Sequence, residues 1–343
     1  MGELKRNSSI DTIKGVAIVL VMIGHVFVHN RMEDPYIYDF IKAVQMPLFM
    51  IISGYLCGQG RKISGLSAYG KVMKKRAIAY LLPFFSWLTI MHLKDLPTAY
   101  RTIFFELDFG LWFLAILLIL TWMVYTAQLA GAGLRKKHPL LSELLFWAVY
   151  GGFCLVLVIQ IVTGNSFLSP YLTIIYVPFY MMGYVAGAYG KKYFCWEGNS
   201  QGKISCKSNR LIQMAMILFG MLFLYLVAAK NLNSMESKLD IMIQMIASLV
   251  GSMAIIYGVF WWKDGAIKNF FAKIGLYTLE IYVVHYHFAD LLNVQKKCYD
   301  FYTFGGVVFV IASFLAMSAV TFVCIWLMKK VKFLDLLFFG KIS

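Results

Sequence analysis

Three side chains capable of acid–base chemistry interrupt one apolar stretch near the start of the chain. In SIDTIKGVAIVLVMIGHVFVH, residues 9–29, these are Asp11, Lys14 and His25. Read as an α-helix, the stretch sets Lys14 and His25 about 16 Å apart along the axis and about 20° apart around it, with Asp11 one turn before Lys14. All three share one face. Placing an ionisable group in hydrocarbon costs at least about 2.5 kcal/mol, so such a face turns to a bundle interior and marks a pathway or a reaction site. This face is the first candidate for an active site.

A second stretch, KIGLYTLEIYVVHYHFADLLN, embeds Glu280, His285, His287 and Asp290 among apolar residues. On a continuous helix Glu280 and His287, seven apart, share a face, as do Tyr282 and His285, three apart. Two histidines and two carboxylates make a lipid-facing position costly, so a reaction site or an internal polar network is expected here. The run KVMKKR ends in Lys74, Lys75 and Arg76 at the mouth of another apolar segment. Such charges anchor the cytoplasmic side of a membrane protein, and the same three could bind the phosphates of a soluble anionic donor. Trp112, in FGLWF, opens a further apolar run, where an aromatic-belt position is the ordinary reading.

The elements that must position these residues follow from composition. Hydrophobic residues make up 60% of the 343 and charged residues 14%, mean hydropathy is +0.71, and an ordinary soluble domain is about 25% charged. The fold class expected is an all-α polytopic membrane protein, because lipid leaves backbone polar groups no partner outside a helix or closed barrel, and strand-period alternation is missing. At about 20 apolar residues per crossing, ten spans are expected in one bundle: 10–29, 36–57, 77–93, 109–130, 141–163, 168–189, 211–229, 239–262, 272–293 and 304–328. No loop is long enough to fold separately, so residues 1–343 are expected to form a single domain. In the second span, Pro47 is expected to kink or end the helix, and Ser53-Gly54 to permit close helix approach.

With the N-terminus inside, the inner segments carry 22 Lys and Arg and the outer loops 7, while Lys14, Lys42 and Lys273 fall within spans. Both termini are therefore expected in the cytoplasm. The same bias explains the net charge of +15 without a nucleic-acid partner. Lys5 and Arg6 precede the first run as in a signal peptide, but a small-x-small cleavage site is missing and the run is expected to stay. The cysteines at 57, 154, 195, 206, 298 and 324 show no zinc spacing, so neither a metal site nor a disulfide framework is expected.

TIKGVAIVLVMIGH, QMPLFMIISGYL, GLWFLAILL and IGLYTLEIYVVH resemble, in this order, the signature segments of the integral-membrane acyltransferase family 3, and most of all its fucose O-acetylase-like branch. The resemblance covers about ten spans over the whole chain. It implies an enzyme of the cell membrane that takes an acyl group, commonly acetyl, from cytoplasmic acetyl-CoA or another acyl-CoA. The acceptor it implies is a hydroxyl of an extracytoplasmic glycan or lipid-linked glycan precursor. Lys14 matches the family's first-helix basic residue, His25 its essential histidine, Arg76 the basic motif after the second span, and His285 the ninth-span histidine. Three positions depart from the pattern. Gln45 stands where the family often has His, Ala79 where an Arg often follows the basic motif, and Lys14 lacks the two-pronged guanidinium of the commoner Arg.

On this reading His25 is the base for the acceptor hydroxyl, with Asp11 and Lys14 as an ion pair at the inner end of the same face. Lys74, Lys75 and Arg76 hold acyl-CoA, and Trp112, Tyr282, Glu280 and His285 are assigned to the acceptor or the oxyanion. Direct transfer and an acyl-His25 intermediate are both compatible with the sequence. The rival class is a proton-coupled transporter or exporter of an envelope component, although the paired repeats of transporters are not visible. A scaffold subunit of an envelope assembly is the third. Membrane lipids are the other partners, and a homo-oligomer is left open.

Overall fold

The computed structural model describes residues 8–32, 35–105, 107, 111–193, 196–198, 204–206, 210–229, 237–293, 297 and 299–341. Lys5, Arg6, Phe109, Gly110, Cys195 and Cys298 lie outside the described residues. Along the chain come α1 (Ser8–His29), α2 (Pro35–Gln59), α3 (Leu66–Met91), α4 (Leu96–Phe105), α5 (Trp112–Ala130), α6 (Pro139–Val162) and α7 (Pro170–Tyr193). A short antiparallel ribbon of β1 (Trp196–Gly198) and β2 (Ile204–Cys206) follows, pairing Trp196 with Cys206. Then come α8 (Arg210–Ala229), α9 (Lys238–Trp261), α10 (Ala266–Ile274), a 3-10 turn (Gly275–Tyr277), α11 (Thr278–Val284), a second 3-10 turn (His285–Phe288), α12 (Phe304–Lys329) and α13 (Lys332–Phe339).

The protein is a polytopic, helical membrane protein. Among the described residues seven helices, α1, α2, α5, α6, α7, α9 and α12, are long and apolar enough to cross a bilayer. Three of the ten expected spans differ for separate reasons. α3 begins eleven residues early, in the basic segment, because Lys, Met, Ala and Leu are strong helix formers whatever their hydropathy. The apolar stretch of α8 is shorter, Gln213–Ala229. The ninth span is not one helix but α10, α11 and the two 3-10 turns.

Exposure follows the lipid solvent. α6 buries only Ser142, Phe146 and Tyr150, one stripe at a spacing of four, and exposes Leu140, Leu144, Leu155 and Ile159 among others. In water this would be an aggregation surface, whereas in hydrocarbon it is an ordinary lipid-facing one. α1 is the reverse, with 67% of its apolar window buried.

The chain divides into two compact units, Met1–Ile52 with Tyr189–Trp326, and Ser53–Ala188 with Leu327–Ser343. In the first, Ala43 and Val44 of α2 pack with Phe223 and Val227 of α8 and Ala247 and Val250 of α9. α1 lies against α10 and the following turn through two glycines: a Cβ on Gly15 would strike the Phe271 carbonyl, and one on Gly275 the Asp11 carbonyl. Pro47 is carried within α2, which runs on past it to Gln59.

In the second unit the close approach anticipated at Ser53-Gly54 is made by Gly54 and Gly58. They face the Tyr180 and Tyr184 carbonyls of α7, while Gly187 faces the Tyr55 carbonyl of α2. This is the small-xxx-small packing that brings membrane helices together. The loop after α2 is fastened to the end of α5. The Ile63 amide donates to Gln128 Oε1 at 3.0 Å, and Arg135 donates to the Ile63 carbonyl at 2.7 Å and the Gln128 carbonyl at 3.0 Å. α13 docks on α3, with the Trp87 indole N–H donating to the Phe338 carbonyl at 3.2 Å.

Candidate active site

The first unit brings α1 beside the broken ninth segment, and the contacts rise in step along both. Near the inner end expected from the charge bias, Asp11 is buried and pairs with Lys14, Oδ1 to Nζ 3.7 Å. The neighbouring Thr12 hydroxyl reaches the Ser8 carbonyl at 2.9 Å and the Lys268 carbonyl at 3.4 Å. Lys268 is itself buried, donating to the Trp262 carbonyl at 2.8 Å beside Asp264 at 3.3 Å. At the other end Asn30 is fully buried and bridges its own helix to the ninth segment, donating to the Val26 and Ala289 carbonyls at 2.8 and 2.9 Å.

Between these ends sits a group of imidazoles. His25 lies with its ring centroid 5.1 Å from His285, 5.7 Å from His29 and 5.2 Å from Tyr286. His29 meets the edge of Tyr286 at 4.6 Å. His285 is fully buried, and its Nδ1 lies 2.7 Å from the Ile281 carbonyl. That carbonyl also takes the His285 backbone N–H. A carbonyl oxygen has two lone pairs and only accepts, so Nδ1 carries the hydrogen. Two ring nitrogens of the group are buried without a hydrogen-bond partner, Nδ1 of His25 and Nε2 of His285. Buried nitrogens rarely go unpaired in a finished structure.

The continuous α-helix on which Glu280 and His287 were expected to share a face changes its winding at Val284 and runs through His285–Phe288 at about three residues per turn, which leaves the two about 40° apart around the axis. Glu280 is buried on α11, about 140° around the helix from His285. Tyr282 does meet His285, ring centroid to ring centroid 6.3 Å.

The remaining candidates belong to the second unit. Lys74, Lys75 and Arg76 are consecutive on α3, so they point in directions about 100° apart. Lys74 and Lys75 are exposed, whereas Arg76 turns inward and donates to the Tyr80 hydroxyl at 3.1 Å. Trp112, the first residue of α5, stacks on Tyr176 at 5.3 Å.

Sequence reasoning did not single out His29, Tyr286 or Lys268. His29 was within reach, since it follows His25 by four and shares its face. Tyr286 depends on the 3-10 turn, and Lys268 looks in sequence like one more anchoring charge. Gln45 had been noted only as a departure. Its buried Oε1 has no hydrogen-bond partner and lies against Gly24, next to His25.

A family profile described as an acyltransferase domain matches residues 7–329, and the chain belongs to that family, acyltransferase family 3. The match takes in α1, with its imidazoles, and the whole ninth segment. Two relatives are similar over parts of the chain. The nodulation protein NolL of Sinorhizobium fredii is 27% identical over 191 residues, 54% of this chain and 50% of that one. NolL of Mesorhizobium japonicum is 33% identical over 98 residues, 26% of this chain and 25% of that one. The chain thus spans half or less of the length of these relatives. No solved structure matches it.

Proposed function

We propose that this protein is an O-acyltransferase of the cell membrane, which moves an acyl group, most simply acetyl, from cytoplasmic acyl-CoA to a hydroxyl of an extracytoplasmic glycan or lipid-linked glycan precursor. The observation that carries the reading is the imidazole group around His25, on a buried helix of a chain that belongs to an acyltransferase family. His25 is the base. As the acceptor oxygen attacks the thioester carbonyl, its proton passes to His25, and the proton returns to the coenzyme A sulfur as the C–S bond breaks. The Asp11–Lys14 pair, both of its residues on α1, holds the inner half of that helix and faces the donor. Lys74 and Lys75, exposed on α3, take the phosphates of the donor, and Arg76 completes that site from its place beside Tyr80. The two compact units work as one domain, which is supported by the single family match running through both.

A broken helix carrying ionisable groups is also what a proton-coupled transporter would show, and family membership favours the enzyme. The test is acyl transfer from labelled acyl-CoA by protein in nanodiscs supplied with an envelope extract. Label leaving coenzyme A for a glycan with wild type, and not with His25→Ala, supports the proposal. Wild type that neither binds nor turns over acyl-CoA refutes it.

A further inference from the structure

The two unpartnered nitrogens of the imidazole group differ in what they can do. His285 is locked in one tautomer, because its Nδ1–H is committed to the Ile281 carbonyl at 2.7 Å. A neutral imidazole with Nδ1 protonated has only a lone pair at Nε2. His285 therefore offers a buried acceptor and has no N–H left for an oxyanion. His25 is only partly buried, and Nδ1 is its sealed nitrogen. A sealed Nδ1 needs a partner, and opposite the acceptor-only Nε2 of His285 it must be the donor. The His285 ring stands 5.1 Å away, centroid to centroid, tilted by 55°. Small side-chain rotations bring nitrogens of two rings at that separation into contact, and catalytic hydrogen bonds often close only with substrate in place.

We infer that His285 is the positioning residue of His25: the fully buried His285, anchored by Ile281, accepts a hydrogen bond from His25 Nδ1–H and leaves His25 Nε2 as the free base. This rests on the acyltransferase reading and replaces the oxyanion role first assigned to His285. The chain of bonds runs from the Ile281 carbonyl through His285 to His25 and then to the acceptor hydroxyl. It follows the logic by which a buried carboxylate orients the histidine of a catalytic triad. A neutral imidazole does this without the cost of a lone carboxylate at membrane depth. When the acceptor proton reaches His25 Nε2, the His25–His285 bond becomes charge-assisted and shorter. His285 itself neither gains nor loses a proton through the cycle. Gln45 Oε1, a further unpartnered acceptor beside this part of α1, is a rival for the same hydrogen.

Two measurements on nanodisc protein test this. In the first, nitrogen-15 NMR of the histidine rings reads tautomers without turnover. The expected result is His25 in the Nδ1–H form in wild type and displaced toward Nε2–H in His285→Leu. His25 found as Nε2–H in wild type overturns the inference. The second is kinetic. His285→Leu should lower kcat by about 10²-fold or more with KM for acyl-CoA unchanged, and His285→Gln, whose amide oxygen can stand in for Nε2, should recover most of it. His25→Ala with His285→Leu should be no slower than His25→Ala alone, because residues acting as one unit are not additive. Full activity of His285→Leu, an additive loss in the double variant, or loss with Gln45→Leu in place of His285→Leu would each contradict it. If wild type turns over no acyl-CoA, the functional reading fails and the NMR result alone decides the positioning role.

Discussion

A histidine within a membrane helix must be compensated by its surroundings. His25 has three ring neighbours within 6 Å and a glycine before it that leaves room for Gln45. His25→Ala is expected to keep the fold and to lower acyl transfer by about 10²- to 10⁴-fold, the range over which a general base contributes, measured as label released from acyl-CoA at equal protein. Asp11 and Lys14 give a prediction of the opposite kind. Lys14→Ala removes the cation facing a buried carboxylate, and stranding one partner of a buried pair is worse than removing both. The thermal midpoint of Lys14→Ala should therefore lie below that of Asp11→Ala with Lys14→Ala, and the reverse order would show that Asp11 supports the fold through partners other than Lys14.

At the scale of elements, α1 was legible because a polar face in an apolar run has one energetic solution, burial against a partner. Which partner it found could not be read. The ninth span scans as one apolar helix, and neither the 3-10 turn at Gly275–Tyr277 nor that at His285–Phe288 shows in its periodicity. The start of α3 was misplaced because hydropathy registers only its apolar part. Gly54 was noticed, yet its use with Gly58 and Gly187 as a helix crossing required the opposite helix to be known. Gly58→Leu should force α2 from α7 and leave little folded protein in detergent, since even modest overpacking of a core costs about 1–3 kcal/mol. The Arg135 clamp makes a milder case. Arg135→Ala should keep the helices and free the loop it holds, seen as faster tryptic cleavage at Arg61 and Lys62 than in wild type. An unchanged cleavage rate would mean that the clamp is not what orders the loop.

Taken whole, the molecule obeys the solvent it lives in. Buried stripes are narrow on α6 and wide on α1, which separates a helix that faces lipid from one enclosed by its neighbours. The charge bias counted on the ten expected spans, 22 against 7, predicts an inside C-terminus, so that reporter domains fused there are active inside the cell and silent outside. A reporter active only outside would invert the topology and with it the side from which donor and acceptor come. The membrane class and the imidazole on α1 were open to sequence reasoning because both follow from the cost of polarity in lipid. An acceptor for the proposed transfer would be chosen by shape and hydrogen bonding, which hydropathy does not encode.

The most direct measurement is transfer of a labelled acyl group from acyl-CoA by purified protein in nanodiscs, with wild type and His25→Ala side by side and an envelope extract as acceptor. Label appearing on glycan with wild type, and falling by at least about 10²-fold with a folded His25→Ala, is the predicted result. Equal transfer by the two proteins would remove His25 from the centre of the chemistry, and wild type inert toward every acyl-CoA would contradict the acyltransferase assignment itself.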